Sequence, residues 1–232
     1  MTTKNPPTSS RIVKVSLAEQ AYEELKKQIF DQRLLPGARL NIDALSRECG
    51  ISSSPLREAL IRLESEELVV SSTNTGFSIA PRPDQAKIDK IMEFRLLMEA
   101  HCARAGALAA SEETIAVMEK AHDTMAAMMK KGVGYKQYRS YIDLEQVFHQ
   151  AIVDSADNPA ISSAYRALHT ILLVARLSVV PNSDNVSTND VADEHQEILD
   201  AFKAHDPDRA EAAVRGHLHS ARGRIQGDQQ KS

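Results

Sequence analysis

One carboxylate and three histidines are the residues of this chain best suited to chemistry. Glu145 and His149 are four residues apart in a stretch of helical periodicity, so both side chains project from one face and can chelate a single ion. His195 lies on a later predicted helix and His217 on the last one. Imidazoles with a carboxylate suit divalent zinc, nickel, manganese or iron, whereas calcium prefers oxygen ligands. The spacing alone leaves a plain i,i+4 polar pair equally open.

A second pair with the same spacing, Arg95 and Glu99, lies in a strongly apolar predicted helix. A buried arginine is costly unless an anion pairs with it, and its planar fork binds a carboxylate through two hydrogen bonds. Two interpretations therefore remain open. Either Arg95 binds the carboxylate of a ligand, or it forms a structural ion pair with Glu99.

The elements that must position these residues are helices. From Asp84 onward, apolar residues recur at helical spacing, and no strand alternation of any length is found. The predicted helices are 84–110, 111–131, 135–155, 158–180, 188–204 and 206–226. The sequence therefore predicts an all-α bundle that carries the histidines.

The front of the chain shows a different pattern, that of helix, tight turn, helix and ribbon. Gly50 can end the first of these helices in a left-handed conformation, and the hydroxyls of residues 52–54 can cap the second. Pro55 fits the first turn of that second helix, where its missing N–H costs little. An amphipathic helix capped by Ser16 comes before them, and two short strands around a polar tip follow. This order predicts a winged helix-turn-helix, a DNA-binding fold.

A stiff proline segment, Pro81-Arg82-Pro83, separates the two patterns. The fold class is thus mainly α, with an N-terminal winged helix-turn-helix followed by an all-α helical bundle. The predicted division is a disordered N-terminus at 1–15, the winged domain at 16–80, a linker at 81–83, the helical domain at 84–226 and a disordered tail at 227–232.

Charge is unevenly distributed along the 232 residues, whose formal net charge is −4. Residues 1–62 carry 10 Lys and Arg against 7 Asp and Glu, a net charge of +3, and the remainder carries −7. This basic bias is modest, so the affinity of one subunit for phosphates is expected to be weak and sensitive to salt. A dimer that presents two such heads compensates for this weakness.

Cysteine usage and hydropathy exclude other classes of protein. Cys49 and Cys102 lie in apolar-periodic stretches, which predicts two buried thiols and excludes a cysteine-based zinc finger. No apolar run has the length of a transmembrane helix, and the polar start lacks the apolar segment of a signal peptide. A cytoplasmic protein with no membrane partner is therefore expected.

Ordered motifs along nearly the whole chain resemble the GntR family of bacterial transcription regulators, in its FadR branch with a six-helix, FCD-type effector domain. In the front part these motifs are Leu35-Pro36-Gly37 with Leu40, the segment from Ser54 to Glu64, and Thr75-Gly76-Phe77. In the second part they are Phe94 to Glu99, Phe148-His149 with Asn158-Pro159, Glu194 to Leu199, and His217-Leu218.

The resemblance implies a homodimer in which each winged head reads one half of a pseudo-palindromic, double-stranded DNA operator. The second helix of the motif would enter the major groove and the wing the neighbouring minor groove. Ser53 stands where the family commonly has an arginine, so one base- or phosphate-contacting fork is missing. The residues expected to contact DNA are Arg57, Ser52, Ser54, Arg47 and Gly76.

For the helical domain, the resemblance implies dimerisation, a divalent transition metal and a small carboxylate effector bound beside it. The implied metal ligands are Glu145, His149, His195 and His217, and Arg95 would bind the effector. Glu145 stands where the family usually has an aspartate, and its extra methylene lengthens the reach of the carboxylate.

The leading hypothesis is a transcription regulator, in most of the family a repressor, that responds to a small organic acid bound at the metal. One alternative is a helical metalloenzyme that acts on a small carboxylate, because a metal with an open position activates water. The other is a regulator that senses an acid through Arg95 without a metal.

Overall fold

The computed structural model describes residues 15–73, 75–130, 135–177 and 189–229. They form two compact units that divide between Ala80 and Pro81. Most of the predicted disordered ends, residues 1–14 and 230–232, lies outside the described residues.

The first unit consists of three helices and a small antiparallel sheet. Its elements in chain order are α1 (Leu17–Phe30), β1 (Arg39–Leu40), α2 (Ile42–Cys49), α3 (Ser53–Ser65), β2 (Val69–Ser72) and β3 (Gly76–Ile79). The strand order is β1-β3-β2, with Ser78 of β3 opposite Arg39 on one side and Val70 on the other. The buried leucines Leu56, Leu60 and Leu63 of α3 recur at helical spacing and form the core with α1. The predicted winged helix-turn-helix is confirmed.

Three local details show how the sequence sets these helices. Gly50 ends α2 with a φ of 64°, the left-handed conformation expected from its missing Cβ. The predicted cap of α1 is confirmed, since the Ser16 side chain accepts a hydrogen bond from the Glu19 amide at 3.0 Å. The predicted hydroxyl cap of α3 is wrong, because Ser52 occupies the cap position but its side chain makes no capping hydrogen bond.

The second unit is helical throughout its described part. Its elements are α4 (Gln85–Ala107), α5 (Glu112–Lys130), α6 (Tyr135–Asp154), α7 (Pro159–Leu177), α8 (Asn189–Lys203) and α9 (Pro207–Gln229). The central helix is α4, which packs on α6, α7, α8 and α9, while α5 packs on α6 and α8. The inner faces of α4, α6, α8 and α9 therefore enclose one interior. The predicted all-α bundle is confirmed, although α9 continues through residues 227–229, which were expected to be disordered.

The two thiols differ in their surroundings. Cys102 is fully buried beside Val153 and Tyr165, as predicted. Cys49 is only half-buried, because it is the last residue of the short helix α2, and the prediction that it is buried is wrong. Both cysteines are free thiols.

Gly106 allows α4 to approach the end of α6 closely. A Cβ added there would lie 2.8 Å from the backbone carbonyl carbon of Ser155, which is too close for real atoms. We expect Gly106→Ala to lower the free energy of unfolding by about 1–3 kcal/mol, the cost of overpacking a tight contact. Urea unfolding measures this loss. Gly216→Ala is the control, since nothing lies within 4 Å of a Cβ there and alanine favours a helix. Equal stabilities of the two variants would contradict the prediction.

Candidate metal centre

Three helices bring four side chains to one point in the interior of the second unit. Glu145 and His149 come from α6, His195 from α8 and His217 from α9. All four side chains are buried, and their potential ligand atoms all lie within 4.8 Å of one another. The structure thus brings together all the residues that the sequence selected as candidate metal ligands.

The inward-facing Nε2 nitrogens of the three histidines receive no hydrogen bond from the residues that the structure describes. The Nε2 atoms of His149, His195 and His217 are buried and form no hydrogen bond within the described part of the chain. Glu145 faces them, with Oε1 at 3.4 Å from the Nε2 atom of His195 and Oε2 at 3.9 Å from that of His149. Burying a polar atom without a hydrogen bond costs free energy. Three such nitrogens and one carboxylate fit the ligand set of a divalent transition metal.

A second layer of hydrogen bonds holds these side chains from behind. The Nδ1 atom of His149 lies 2.7 Å from Oε2 of Glu99, and that of His217 lies 2.8 Å from Oε2 of Glu194. The hydroxyl of Tyr141 donates to Glu145 at 3.0 Å. Outer partners of this kind orient ligands and fix the histidine tautomer. Sequence reasoning missed these roles, since Glu99 is 50 residues from His149 and no local spacing joins them.

Arg95 forms an ion pair with Glu99, which is one of the two interpretations that the sequence left open. Its Nε atom donates to Oε1 of Glu99 at 2.6 Å, and the hydroxyl of Tyr165 donates to the same oxygen at 2.7 Å. Burial alone would raise the pKa of Glu99, but Arg95 and His149 hold it below its ordinary value. Burial also raises the pKa of the Tyr165 hydroxyl well above its ordinary value. Arg95 thus lies next to the candidate centre and is joined to it through Glu99.

The electrostatics of the site keep two of its imidazoles neutral. Burial lowers the pKa of His195 well below its usual value, and the neighbouring His217 and His149 lower it further, while Glu145 opposes them. Burial lowers the pKa of His217 to about 4, although its contact with Glu194 opposes the shift. A neutral imidazole is the form that binds a metal.

The stability of the metal-free protein is expected to fall as the pH drops from about 6.5 towards 4. The unfolded chain binds a proton at His217 near the ordinary pKa of 6.5, whereas burial lowers the pKa in the folded chain to about 4. At about 1.4 kcal/mol per pKa unit, protonation of His217 lowers the free energy of unfolding by about 3 kcal/mol across this range. Above this window His217 is neutral in both the folded and the unfolded chain, so its protonation costs the folded state nothing. Urea unfolding in the presence of a chelator, repeated at several pH values, measures how the free energy of unfolding changes with pH. This change should be smaller for His217→Asn. A stability that stays constant between pH 7 and pH 5 would contradict the prediction.

The residues expected to contact DNA are exposed in the first unit. Arg57 lies on the outer face of α3, next to Ile61, whose side chain is 59% exposed. The other expected contacts are also exposed: Arg47 on α2, Ser52 and Ser54 at the start of α3, and Gly76 at the start of β3. Gly76 has a φ of 71°, a backbone conformation that favours glycine.

Arg62, on the same helix as Arg57, has a different environment. It forms an ion pair with Glu19 of α1, and its guanidinium lies 3.7 Å from the centre of the Tyr22 ring. These contacts tie α3 to α1, so Arg62 is engaged in packing between the two helices, whereas Arg57 is exposed on the outer face of α3.

Among the described helices, none is both long and apolar enough to cross a membrane.

Comparisons with known proteins cover almost the whole chain. Residues 17–79 match the family described as bacterial regulatory proteins, gntR family, and residues 90–220 match the FCD domain. The uncharacterized HTH-type transcriptional regulator YdhC of Bacillus subtilis is 26% identical over 200 residues, which cover 86% of this chain and 87% of YdhC. The repressor NanR of Escherichia coli K12 is 26% identical over 230 residues, which cover 91% of this chain and 85% of NanR.

A further relative and two solved structures agree with these matches. The relative, a probable D-xylose utilization operon transcriptional repressor of Paenarthrobacter nicotinovorans, is 27% identical over 215 residues, which cover 91% of this chain and 89% of the repressor. The structure of Escherichia coli McbR/YncC is 21% identical, covers 94% of this chain and all of its own, and superimposes with a TM-score of 0.75. A putative GntR regulator from Rhodococcus sp. RHA1 is 18% identical, covers 90% of this chain and 97% of its own, and has a TM-score of 0.76.

The two solved structures have the same fold as this chain. The matched family and the relatives are transcription regulators rather than enzymes, and this excludes the metalloenzyme hypothesis. The winged unit with its exposed Arg57 and the helical unit with its histidine cluster correspond to the two matched families. The chain is a DNA-binding transcription regulator that belongs to the GntR family and carries an FCD domain.

Proposed function

We propose that this protein is a repressor whose binding to DNA responds to a small organic acid, held beside a divalent transition metal in the helical unit. The observation that carries this proposal is the convergence of three buried Nε2 atoms that have no hydrogen-bond partner in the described part of the chain. A metal ion explains why the fold keeps these three polar atoms together in its interior.

Glu145, His149, His195 and His217 would hold the metal, and zinc, nickel, manganese and iron all suit this ligand set. The bound metal would supply a Lewis-acidic anchor for the carboxylate of the effector. Arg95 would supply the second anchor, because its guanidinium lies next to the site and can exchange its bond with Glu99 for one to the ligand.

The winged unit would read the operator as one of two heads in a homodimer. The second helix of the motif, α3, would place Arg57 in the major groove, supported by Arg47, Ser52, Ser54 and the wing glycine Gly76. Two modest basic heads together would reach an affinity that neither reaches alone, on a pseudo-palindromic site. Repression is proposed because two of the related regulators are described as repressors.

The effector would act by favouring one arrangement of the dimer over another. A ligand shifts such an equilibrium only by its difference in affinity for the two states. An acid that binds tightly and leaves DNA affinity unchanged would therefore disprove the coupling.

Elemental analysis after purification without chelators tests the metal directly. We expect about one divalent metal ion per chain, removed by dialysis against a chelator and restored by titration with zinc. A protein that contains no metal and binds none, yet loses DNA affinity on addition of a small acid, would support the metal-free alternative instead.

A further inference from the structure

The two oxygens of Glu99 make different contacts. Oε1 accepts two hydrogen bonds, from Nε of Arg95 at 2.6 Å and from the hydroxyl of Tyr165 at 2.7 Å. Oε2 lies 2.7 Å from Nδ1 of His149. All four side chains are buried, so none can change partners with bulk water. Glu99 is thus fixed from one side and presents a single oxygen to the histidine.

This contact decides which nitrogen of His149 carries a hydrogen atom. An ionised carboxylate only accepts hydrogen bonds, so Nδ1 must be the donor. A neutral imidazole with hydrogen on Nδ1 has its lone pair on Nε2. That Nε2 atom is the one that faces the candidate metal centre without a hydrogen-bond partner among the described residues.

We propose that Glu99, held in place by Arg95 and Tyr165, is a positioning residue that keeps His149 in the tautomer able to bind a metal. The inference rests on the proposed metal site, but the tautomer exists in the metal-free protein and can be measured there. It also gives Arg95 a role in the absence of an effector, because Arg95 fixes the orientation of Glu99.

Glu99→Gln is the sharpest test, because glutamine has nearly the same shape. Its amide oxygen would remain where Arg95 and Tyr165 both donate, so its NH2 group must face Nδ1 of His149. That nitrogen would then have to accept, and the hydrogen would move to Nε2, where it blocks the lone pair. We expect the affinity for zinc to fall by about 100-fold, at the upper end of the range for outer-layer substitutions.

The chain offers a matched control at Glu194, which holds His217 in a different way. Both oxygens of Glu194 also accept from Arg224, at 2.9 and 2.8 Å, and these two side chains are 21% and 30% exposed. A glutamine at position 194 can turn its amide oxygen towards His217, and water can satisfy the guanidinium. Glu194→Gln should therefore lower the affinity for zinc by less than about 10-fold.

The experiment uses the full chain of the wild type and both variants, stripped with a chelator and studied at pH 8. Competition with a chromophoric chelator gives the affinity for zinc. Long-range ¹H–¹⁵N correlation spectra of the metal-free proteins, assigned with His149→Gln, show which nitrogen of His149 is protonated. We expect protonated Nδ1 in the wild type and in Glu194→Gln, and protonated Nε2 in Glu99→Gln with the larger loss of zinc affinity.

Three results would overturn the inference: a proton on Nε2 of His149 in the wild type, an unchanged tautomer in Glu99→Gln, or, where the wild type binds zinc, equal zinc affinities in the two variants. The first needs no substitution of Glu99, so the test stands even where Glu99→Gln does not fold. If the tautomer switches as expected in Glu99→Gln while the wild type binds no metal, the inference stands and the proposed metal site is disproved, so the two failures remain distinguishable.

Discussion

Replacing His217 with asparagine is expected to lower the affinity for zinc by about 100-fold or more. The substitution removes one of four proposed ligands, and even outer partners of a ligand are worth about 10–100-fold. Asparagine fills part of the space and cannot place a nitrogen at the position of Nε2. Zinc should therefore raise the midpoint of thermal unfolding strongly in the wild type and weakly in the variant, because stabilisation grows with the ratio of ligand concentration to Kd.

His219 gives the control on the same helix, two residues further along. Its side chain is exposed, and its Nδ1 atom lies 2.6 Å from the carbonyl oxygen of Arg215 rather than near the cluster. His219→Asn introduces the same side chain into α9 and should leave zinc stabilisation at the wild-type level. A similar loss in both variants would show that zinc binds at the protein surface and not at the buried centre.

Arg57→Ala is expected to weaken binding to the operator by roughly 5–150-fold for each half-site. This range corresponds to the 1–3 kcal/mol of discrimination that one bidentate base contact supplies. Arg57 is exposed and lies on the helix that would enter the major groove. Fluorescence anisotropy with operator and random duplex shows whether Arg57 contacts a base or a phosphate. Loss of a base contact lowers the preference for operator, whereas loss of a phosphate contact weakens binding to both duplexes.

Arg62→Ala is the matched control for that experiment. It removes the same charge from the same helix, but Arg62 is engaged with Glu19 and Tyr22 of α1. We expect a small loss of stability and little change in the preference for operator over random duplex. A larger loss of preference in Arg62→Ala than in Arg57→Ala would reverse the assignment of the DNA-facing side of α3.

The fold was largely predictable because its signals are local. Gly50 stops α2 and Pro55 lies in the first turn of α3, so each boundary depends on a few neighbouring residues. The two-residue strand β1 was not predicted, since it exists only through pairing with β3, far along the chain. The start of α2 at Ile42 depends on the Asn41 side chain, which accepts a hydrogen bond from the Ala44 amide. Sequence periodicity does not show which distant strands pair, nor where a single side chain caps a helix.

The candidate site was predictable only in its inner layer. The i,i+4 spacing identifies Glu145 and His149 as candidate ligands, and sequence motifs identify His195 and His217. The outer layer gave no such signal, because Glu99 reaches His149 from another helix, and Glu194, next to His195 in sequence, contacts His217 instead. These partners are set by how α4, α8 and α9 pack, which no spacing in one segment encodes.

The most direct test of the central claim is binding of the purified protein to its own upstream intergenic DNA, measured by fluorescence anisotropy. The metal-loaded and chelator-treated proteins are each titrated with a panel of short mono-, di- and hydroxycarboxylates. We predict specific binding that one acid weakens in the metal-loaded protein, and a response that is lost after chelation and in Arg95→Ala. A response to that acid that survives chelation unchanged, or no preference for this DNA over random duplex at moderate salt, would contradict the account.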